Sequence, residues 1–219
     1  MVLRKDCWYF DVCLCDTCTN CIRYAEMKYL MENSGLPVKK QKPVILNAGV
    51  DRDVFCELAD IKNDIVRFVE SGECLYIYSE FTGNGKTSWA IKLLLRYFDQ
   101  IWPGNGFNVR GYFAHVPTLL SQLKDFEDTS GKREQLKKYL NYCDLVVWDD
   151  IASTRLSDYD TSQLLMFIDS RIAQGLSNIY TGNITTRDGL ARCVGERLAS
   201  RIWNVSKKLE FRGKDRRHD

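Results

Sequence analysis

Apolar and polar positions follow two alternating patterns from residue 74 onward. Short runs rich in β-branched, aromatic and other apolar residues predict strands at 74–79, 109–116, 144–150, 177–183 and 207–211. Apolar residues at helical spacing predict the intervening helices, at 86–98, 117–126, 133–141, 158–175 and 187–200. Because strands and helices alternate, we predict an α/β fold, with a five-stranded parallel sheet and helices on both of its faces.

The chain before the first strand predicts two further helices and a linker. An apolar stripe at helical spacing over 51–72 predicts one amphipathic helix, and another helix begins near residue 22 and ends at 34–35. Between them, LPVKKQKP holds two prolines and three lysines, which is typical of a linker. We therefore predict an N-terminal domain at 1–35, a linker at 36–45 and an α/β domain at 46–219.

Length and composition fit a soluble globular protein. The 219 residues suit one ordinary domain with a small appendage, and 45% hydrophobic with 27% charged residues disfavours disorder. No run approaches the roughly 18 apolar residues that a membrane-spanning helix needs, and no secretory apolar stretch follows the N-terminus. We expect a cytoplasmic protein that does not bind membranes.

Charge is nearly balanced overall but uneven along the chain. The formal net charge is +2, yet the stretch 187–219 holds ten Lys and Arg against five Asp and Glu. A basic C-terminal end suits the binding of phosphate or nucleic acid. A solvated helix and tail would have the same composition, so both interpretations stay open.

Five of the nine cysteines lie within residues 7–21. In a cytosolic protein such a cluster indicates metal binding rather than disulfides, and four thiolates make a closed structural zinc site. A domain of about 35 residues is too small to be stabilised by its hydrophobic core alone, so a structural metal site would also stabilise its fold. The predicted zinc ligands are Cys7, Cys13, Cys18 and Cys21, with Cys15 able to replace Cys13. The spacing C-x₂-C-x₂-C at 15–21 leaves an iron–sulfur cluster as an alternative.

The sequence TGNGKTS at 82–88 lies between the first strand and its helix. Glycines let the backbone approach phosphate, and successive N–H groups with the helix N-terminus supply an anion site. Lys86 would reach the β- and γ-phosphates of ATP, and the Thr87 hydroxyl would ligate Mg²⁺. Glu80 stands where the full phosphate-loop pattern has its first glycine. The predicted nucleotide-binding residues are Thr82, Gly83, Asn84, Gly85, Lys86, Thr87 and Ser88.

Polar side chains also close the third and fourth strands. LVVWDD delivers two carboxylates to the edge of the sheet where ligands bind in open α/β folds. We predict that Asp149 holds Mg²⁺ and that Asp150 orients or deprotonates the attacking water. The fourth strand ends near Asn183, whose amide either contacts the γ-phosphate or the attacking water, or only forms a helix N-cap or a turn.

Together TGNGKTS, LVVWDDIA, YTGN and GERLASRI resemble the AAA+ ATPases of the DnaC/DnaI helicase-loader type, and most of all those encoded by phages of low-GC Gram-positive bacteria. The resemblance covers 46–219, and the cysteine-rich segment resembles the zinc-binding N-terminal domain of DnaI-like loaders. It implies a P-loop NTPase fold without a helical lid, and slow ATP hydrolysis stimulated by a partner or DNA. The implied partners are a hexameric DnaB-type replicative helicase, single-stranded DNA and further copies of the chain.

The same resemblance assigns roles to residues outside the phosphate loop. The two aspartates correspond to the Walker B pair, although many AAA+ proteins have glutamate at the second position. Asn183 corresponds to sensor 1, and Arg201 to the arginine finger that reaches a neighbouring subunit's ATP, with Arg197 as its alternative. Arg216 or Arg217, in the basic C-terminal end, is implied to act near the nucleotide.

Two other functions remain open for this sequence. IstB-type transposition ATPases share the AAA+ core and act on duplex DNA. A non-hydrolysing adaptor or inhibitor of the helicase would use ATP only as a switch.

Overall fold

The computed structural model describes residues 7, 13, 21–41, 45–124 and 131–214. The chain begins with α1 (Ile22–Asn33), short 3₁₀ turns at Val38–Lys40 and Gly49–Asp51, α2 (Arg52–Asn63) and α3 (Ile65–Glu70). The later elements are β1 (Cys74–Tyr78), α4 (Lys86–Ile101), β2 (Gly111–His115), α5 (Val116–Leu123), α6 (Lys132–Tyr142), β3 (Leu145–Asp149), α7 (Asp158–Ala173), β4 (Ser177–Gly182), α8 (Arg187–Val194), α9 (Glu196–Val205) and β5 (Ser206–Glu210). Within this described part, no helix is both long enough and apolar enough to span a bilayer.

The five strands form one parallel sheet in the order β2-β3-β4-β1-β5. This confirms the predicted α/β fold with a five-stranded parallel sheet. In the register of the sheet, Tyr78 at the end of β1 pairs with Gly182 of β4 and with Glu210 of β5. Because all strands run in one direction, their carboxyl ends share one edge, and β1 opens there directly into the predicted phosphate loop.

Two hydrophobic clusters cover the two faces of the sheet, as predicted. In β3, Leu145 and Val147 join the cluster that includes α1, α2, α3 and α4. The alternate residues Val146 and Trp148 join the cluster formed with α5 through α9. This alternation is the period of two that a strand imposes on its side chains. Both faces are buried, which explains why β3 is apolar along almost its whole length.

Helix α1 packs on the sheet domain, although the sequence assigns it to a separate N-terminal domain. Its residues Met27, Leu30 and Met31 are buried in the same cluster as α4. Arg23 forms an ion pair with Asp99 of α4 at 2.9 Å and lies over the Trp102 ring at 5.4 Å. The domain boundary at residue 35 stays a prediction, but α1 shares the core of the larger domain.

Two predicted helices are each interrupted, and here the sequence prediction was wrong. The helix expected over 51–72 breaks at Asp64, whose φ of −114° and ψ of 36° separate α2 from α3. Asp side chains compete for backbone hydrogen bonds and so weaken helices. The helix expected over 187–200 breaks at Gly195, whose φ of 82° and ψ of 154° favour glycine. The other predicted elements agree with the structure to within one helical turn at each end.

Candidate functional site

The candidate site begins in the loop that joins β1 to α4. Gly83 has a φ of 69° and Gly85 a φ of 102°, and this left-handed conformation is the reason the loop needs glycine. Gly85 directly precedes α4, so the free N–H groups of that helix start at the loop. Residues 83–88 line a cleft of about 760 Å³ together with Leu46, Asn47 and Gly49. This volume is typical of a small-molecule site.

Lys86 supplies a buried positive charge at the cleft. It is 8% exposed, and its Nζ donates to the Phe81 carbonyl at 2.6 Å and to Asn84 Oδ1 at 3.2 Å. Burial lowers the pKa of Lys86 to about 8, although the nearby carboxylates of Asp150 and Asp149 act in the opposite direction. Both hydrogen-bond acceptors are neutral groups. An anion in the cleft would therefore provide a counter-charge in direct contact with the ammonium.

Three elements meet at the carboxylate that ends β3. The Thr87 hydroxyl, at the start of α4, donates to Asp149 Oδ1 at 2.7 Å. The Thr181 hydroxyl of β4 donates to the same oxygen at 2.7 Å. Carboxylate and hydroxyl oxygens are ligands that suit Mg²⁺. The donor set of Thr87 and Asp149 therefore fits the metal that accompanies a nucleotide.

Asp150 adopts an unusual backbone conformation beside this carboxylate. Its φ of 62° is the only positive φ among the described non-glycine residues. Its N–H donates to the Thr181 hydroxyl at 3.0 Å, and the N–H of Ile151 donates to the Thr181 carbonyl at 3.0 Å. Such backbone strain costs about 1–3 kcal/mol and clusters at functional sites. Thr181 thus positions both predicted acidic residues, a role that the sequence analysis missed.

Asn84 is a buried side chain of the loop with several hydrogen bonds. It is 1% exposed, and its Nδ2 donates to Ser79 Oγ at 2.7 Å and to the Gly213 carbonyl at 3.0 Å. Ser79 Oγ also accepts from the Phe81 N–H at 3.0 Å. The sequence predicted Asn84 as one of several loop residues. It gave no signal for Ser79 or Gly213, because neither belongs to the phosphate-loop pattern.

The other predicted residues of the site lie around this centre. Asn183 follows β4 by one residue and is partly exposed at the same edge of the sheet. Ser88 lies in the first turn of α4, and Thr82 is exposed in the loop. Glu80 is exposed as well, so its acidic side chain, at the position where the pattern has glycine, is in contact with solvent.

The predicted arginine finger is separate from the site of its own chain. Arg201 Nε forms an ion pair with Asp169 Oδ1 at 2.5 Å, which joins α9 to α7, and the side chain is about half exposed. The alternative, Arg197, is also exposed on α9. The predictions for Arg216 and Arg217 lie outside the described residues.

The predicted zinc site is only partly within the described chain. Cys7, Cys13 and Cys21 are described, whereas Cys15 and Cys18 are not. Cys21 Sγ accepts a hydrogen bond from the Tyr24 N–H at 3.5 Å and so caps α1. Within the described ranges, no group of three or more His, Cys, Asp and Glu side chains is arranged to hold a metal ion. The described cysteines therefore do not form a zinc site by themselves.

The apolar neighbours of the four remaining cysteines, Cys56, Cys74, Cys143 and Cys193, predict that all four are small core residues. Cys74 and Cys143 are buried, and Cys193 is partly buried. Cys56 is exposed, and the expectation was wrong there because it lies on the outer face of α2.

A five-stranded parallel sheet in this order, with a glycine-containing loop after β1 and acidic residues at the end of β3, is the AAA+ fold. Solved structures of replication proteins share that fold. The crystal structure of the DnaC helicase loader has a TM-score of 0.65 and 23% identity, and the match covers 84% of this chain and 99% of that one. For DnaI the TM-score is 0.63 and the identity 19%, with coverage of 81% and 95%. The replication initiator DnaA bound to AMPPCP and single-stranded DNA has a TM-score of 0.57 and 14% identity, with coverage of 84% and 50%.

The predicted resemblance to AAA+ proteins of the DnaC/DnaI type is confirmed by these structures at the level of fold. No family model matches the chain, and no curated protein matches it.

Proposed function

We propose that this chain is an ATP-dependent loader that binds a hexameric DnaB-type replicative helicase and helps to place it on single-stranded DNA. The observation that carries the nucleotide part is the meeting of Thr87 and Asp149 beside the buried ammonium of Lys86. The loading part is supported by the fold likeness to DnaC and DnaI, which extends over nearly the whole of both those chains. DnaA, of the same fold, is known bound to AMPPCP and single-stranded DNA.

ATP occupies the cleft, where backbone N–H groups of 83–88 and the Lys86 ammonium bind its phosphates. Thr87 and Asp149 would hold Mg²⁺, which would supply the positive charge that offsets the phosphates. Asp150 orients the attacking water and accepts its proton, and Asn183 donates to the γ-phosphate. An aspartate reaches one methylene less far than the glutamate of many AAA+ proteins. Turnover is therefore slow until a partner or DNA improves the alignment.

Copies of the chain assemble through their ATPase domains. Arg201 of one copy reaches the ATP of its neighbour, which requires it to leave Asp169. An exposed ion pair of this kind contributes only about 0–1 kcal/mol, so a phosphate can replace the aspartate. Assembly aligns several weak sites along one DNA strand, and avidity of this kind raises affinity by about 10²–10⁴.

The N-terminal segment holds one zinc ion through Cys7, Cys13, Cys18 and Cys21, with Cys15 as the alternative to Cys13. The support is the density of five cysteines in residues 7–21, in a segment too short for a large core. This segment docks on the helicase. Metal analysis of the purified chain tests the proposal, with about one zinc per chain as the expected result. Visible absorbance from an iron–sulfur cluster would contradict it.

A pull-down with the full chain tests loading. We expect recovery of a purified DnaB-type helicase, and transfer of that helicase onto circular single-stranded DNA when ATP is present. Lys86→Ala is the variant expected to bind the helicase but not to transfer it. Recovery of a transposase alone would favour the transposition ATPase, and helicase binding without any ATP turnover would favour the adaptor.

A further inference from the structure

The segment formed by residues 211–214, which follows β5, lies against the phosphate loop. The N–H of Phe211 donates to the carbonyl of Tyr78, the last residue of the strand that opens into the loop, at 2.8 Å. The Phe211 ring is buried and packs against Phe55 of α2, with 5.5 Å between ring centroids. The 211–214 segment is therefore anchored from its first residue beside β1.

Asp51 binds the next two residues of the segment. Its Oδ1 accepts from the Arg212 N–H at 2.6 Å, and its two oxygens accept from the Gly213 N–H at 3.2 and 3.1 Å. Asp51 is 3% exposed, and it ends the short turn in which Gly49 lines the nucleotide cleft. Hydrogen bonds to an ionised carboxylate are the stronger kind. A buried carboxylate thus ties one wall of the cleft to the 211–214 segment.

Asn84 makes the second connection. One planar amide donates to the Gly213 carbonyl and to Ser79 Oγ, and accepts from Lys86 Nζ. Both N–H groups of the amide are therefore occupied. If the 211–214 segment detached, Asn84 Nδ2 would lose its hydrogen bond to the Gly213 carbonyl and would stay buried without that partner. The same amide accepts from Lys86, so the change would also affect Lys86. The conformation of the loop and the attachment of the segment therefore depend on each other.

We propose that Asp51 and Asn84 are positioning residues that couple the 211–214 segment to the phosphate loop. Nucleotide in the cleft stabilises the attached segment, and the attached segment strengthens nucleotide binding. A ligand that binds only the native conformation of the phosphate loop lowers the population of every locally unfolded state in which the loop is deformed. By thermodynamic linkage, the attached segment increases the affinity for nucleotide by the same factor by which nucleotide stabilises the attached segment. This inference rests on the proposed ATP binding. It predicts that ATP binding changes the stability of residues that lie outside the phosphate loop.

Hydrogen exchange of the wild-type chain tests the first half of the coupling. The backbone amides of Arg212 and Gly213 are measured with and without AMPPCP and Mg²⁺. At a nucleotide concentration of about 100 Kd, full linkage slows exchange about 100-fold, and we expect a slowing of about tenfold or more. The amide of Lys124, at the end of α5, is the control and should not change.

The variant Asp51→Asn tests the second half. It keeps the size of the side chain, removes its charge and replaces one of the two acceptor oxygens by an N–H donor, which faces the Gly213 N–H when the remaining oxygen occupies the Oδ1 position. We expect AMPPCP to bind about tenfold more weakly, within the roughly 5- to 150-fold range of such couplings. Asp53→Asn, an exposed aspartate in the first turn of α2, is the matched control and should bind AMPPCP as the wild type does.

Each outcome decides the inference. AMPPCP binding that leaves exchange at Arg212 and Gly213 unchanged overturns the coupling and leaves the proposed ATP binding intact. Equal affinity of a folded Asp51→Asn variant and the wild type also overturns it. A wild-type chain that binds no nucleotide overturns both proposals. The exchange measurement needs no variant, so the test stands even if Asp51→Asn does not fold.

Discussion

Replacement of Arg171 should lower the free energy of unfolding more than replacement of any exposed arginine would. Its guanidinium is fully buried in α7 and uses all five N–H groups. The acceptors are the carbonyls of Leu140, Cys143, Asp144 and Ser177 and the side-chain oxygen of Asn178, at 2.7–3.3 Å. Burial lowers the pKa of Arg171 to about 10, although neighbouring groups act in the opposite direction. The charge is therefore stabilised by dipoles that lie at the end of α6 and at the starts of β3 and β4.

Arg171→Met keeps most of the apolar stem and removes every N–H group. The Asp144 carbonyl also accepts from the Ser177 N–H at 3.0 Å, and Asn178 Oδ1 also accepts from Trp148 at 3.0 Å, so those two acceptors keep a partner. Each buried carbonyl that loses its donor costs about 1–3 kcal/mol. The three carbonyls of Leu140, Cys143 and Ser177 lose this donor, so the expected loss is about 3–9 kcal/mol. For a chain of this length, a loss of about 4 kcal/mol lowers Tm by about 8–16 °C.

Urea unfolding followed by tryptophan fluorescence measures this loss. Arg67→Met is the matched control, because Arg67 is largely exposed on α3, where it forms an ion pair with the exposed Asp64 at 3.5 Å. We expect the control to change the free energy of unfolding by no more than about 0.5 kcal/mol. If Arg171→Met also stayed within about 1 kcal/mol of the wild type, the reasoning from orphaned carbonyls would be refuted.

Three further predictions concern the site and the core. Lys86→Ala should abolish AMPPCP binding in a calorimetric titration. Asp150→Asn should bind nucleotide but release no phosphate from ATP. Because Asn tolerates the left-handed backbone conformation of this position, the Asp150→Asn variant isolates the loss of the carboxylate. Arg201→Ala should bind nucleotide normally but lose ATP-dependent binding to single-stranded DNA, measured by anisotropy of a labelled oligonucleotide. Burial raises the pKa of Tyr112 to about 12 and that of Tyr180 well above its usual 10. The unfolded chain therefore loses these protons first, so the free energy of unfolding, and with it the urea midpoint, should fall as pH rises above about 10. The free energy falls by up to about 1.4 kcal/mol per pH unit for each tyrosine.

Each of these three predictions would be contradicted by a different result. Lys92→Ala, on the same helix as Lys86, should leave AMPPCP binding intact, and normal binding by Lys86→Ala would show that the phosphate-loop assignment is wrong. Tight binding to duplex DNA that ignores both ATP and Arg201 would favour the transposition ATPase. A urea midpoint that does not fall up to pH 11 would show that the buried tyrosines ionise equally in both states.

The fold was predictable because burial leaves a direct trace in the sequence. A strand covered on both faces, such as β3, is an apolar run, and amphipathic helices separate the runs. The breaks at Asp64 and Gly195 were missed because helical periodicity continues across them, although a glycine inside such a pattern is a recognised warning. The strand order came only from the structure, since the apolar pattern of a strand does not say which neighbour it pairs with.

The site was predictable where its residues are consecutive. The phosphate loop and the two aspartates each form a short motif, and the chemistry of phosphate binding fixes the residue types. Thr181 was missed because a threonine in a buried strand is an ordinary β-sheet residue. Asp51 and Gly213 are 162 positions apart, and only their contact across the fold gives them a role.

The position of β1 in the sheet has a consequence for how the protein is made. Cys74 of β1 pairs with Asn178 of β4 and with Ser206 of β5, and both partners come much later in the chain. At about 5–20 residues per second, a ribosome needs about 7–26 s to pass from residue 74 to residue 206. The strand that carries the predicted phosphate loop is synthesised early, but its first strand partner, β4, follows only after about 5–21 s, and its second partner, β5, only after the full interval. The nascent chain therefore forms the proposed nucleotide site late, and ATP bound there would stabilise the folded state only after β4 and β5 have emerged.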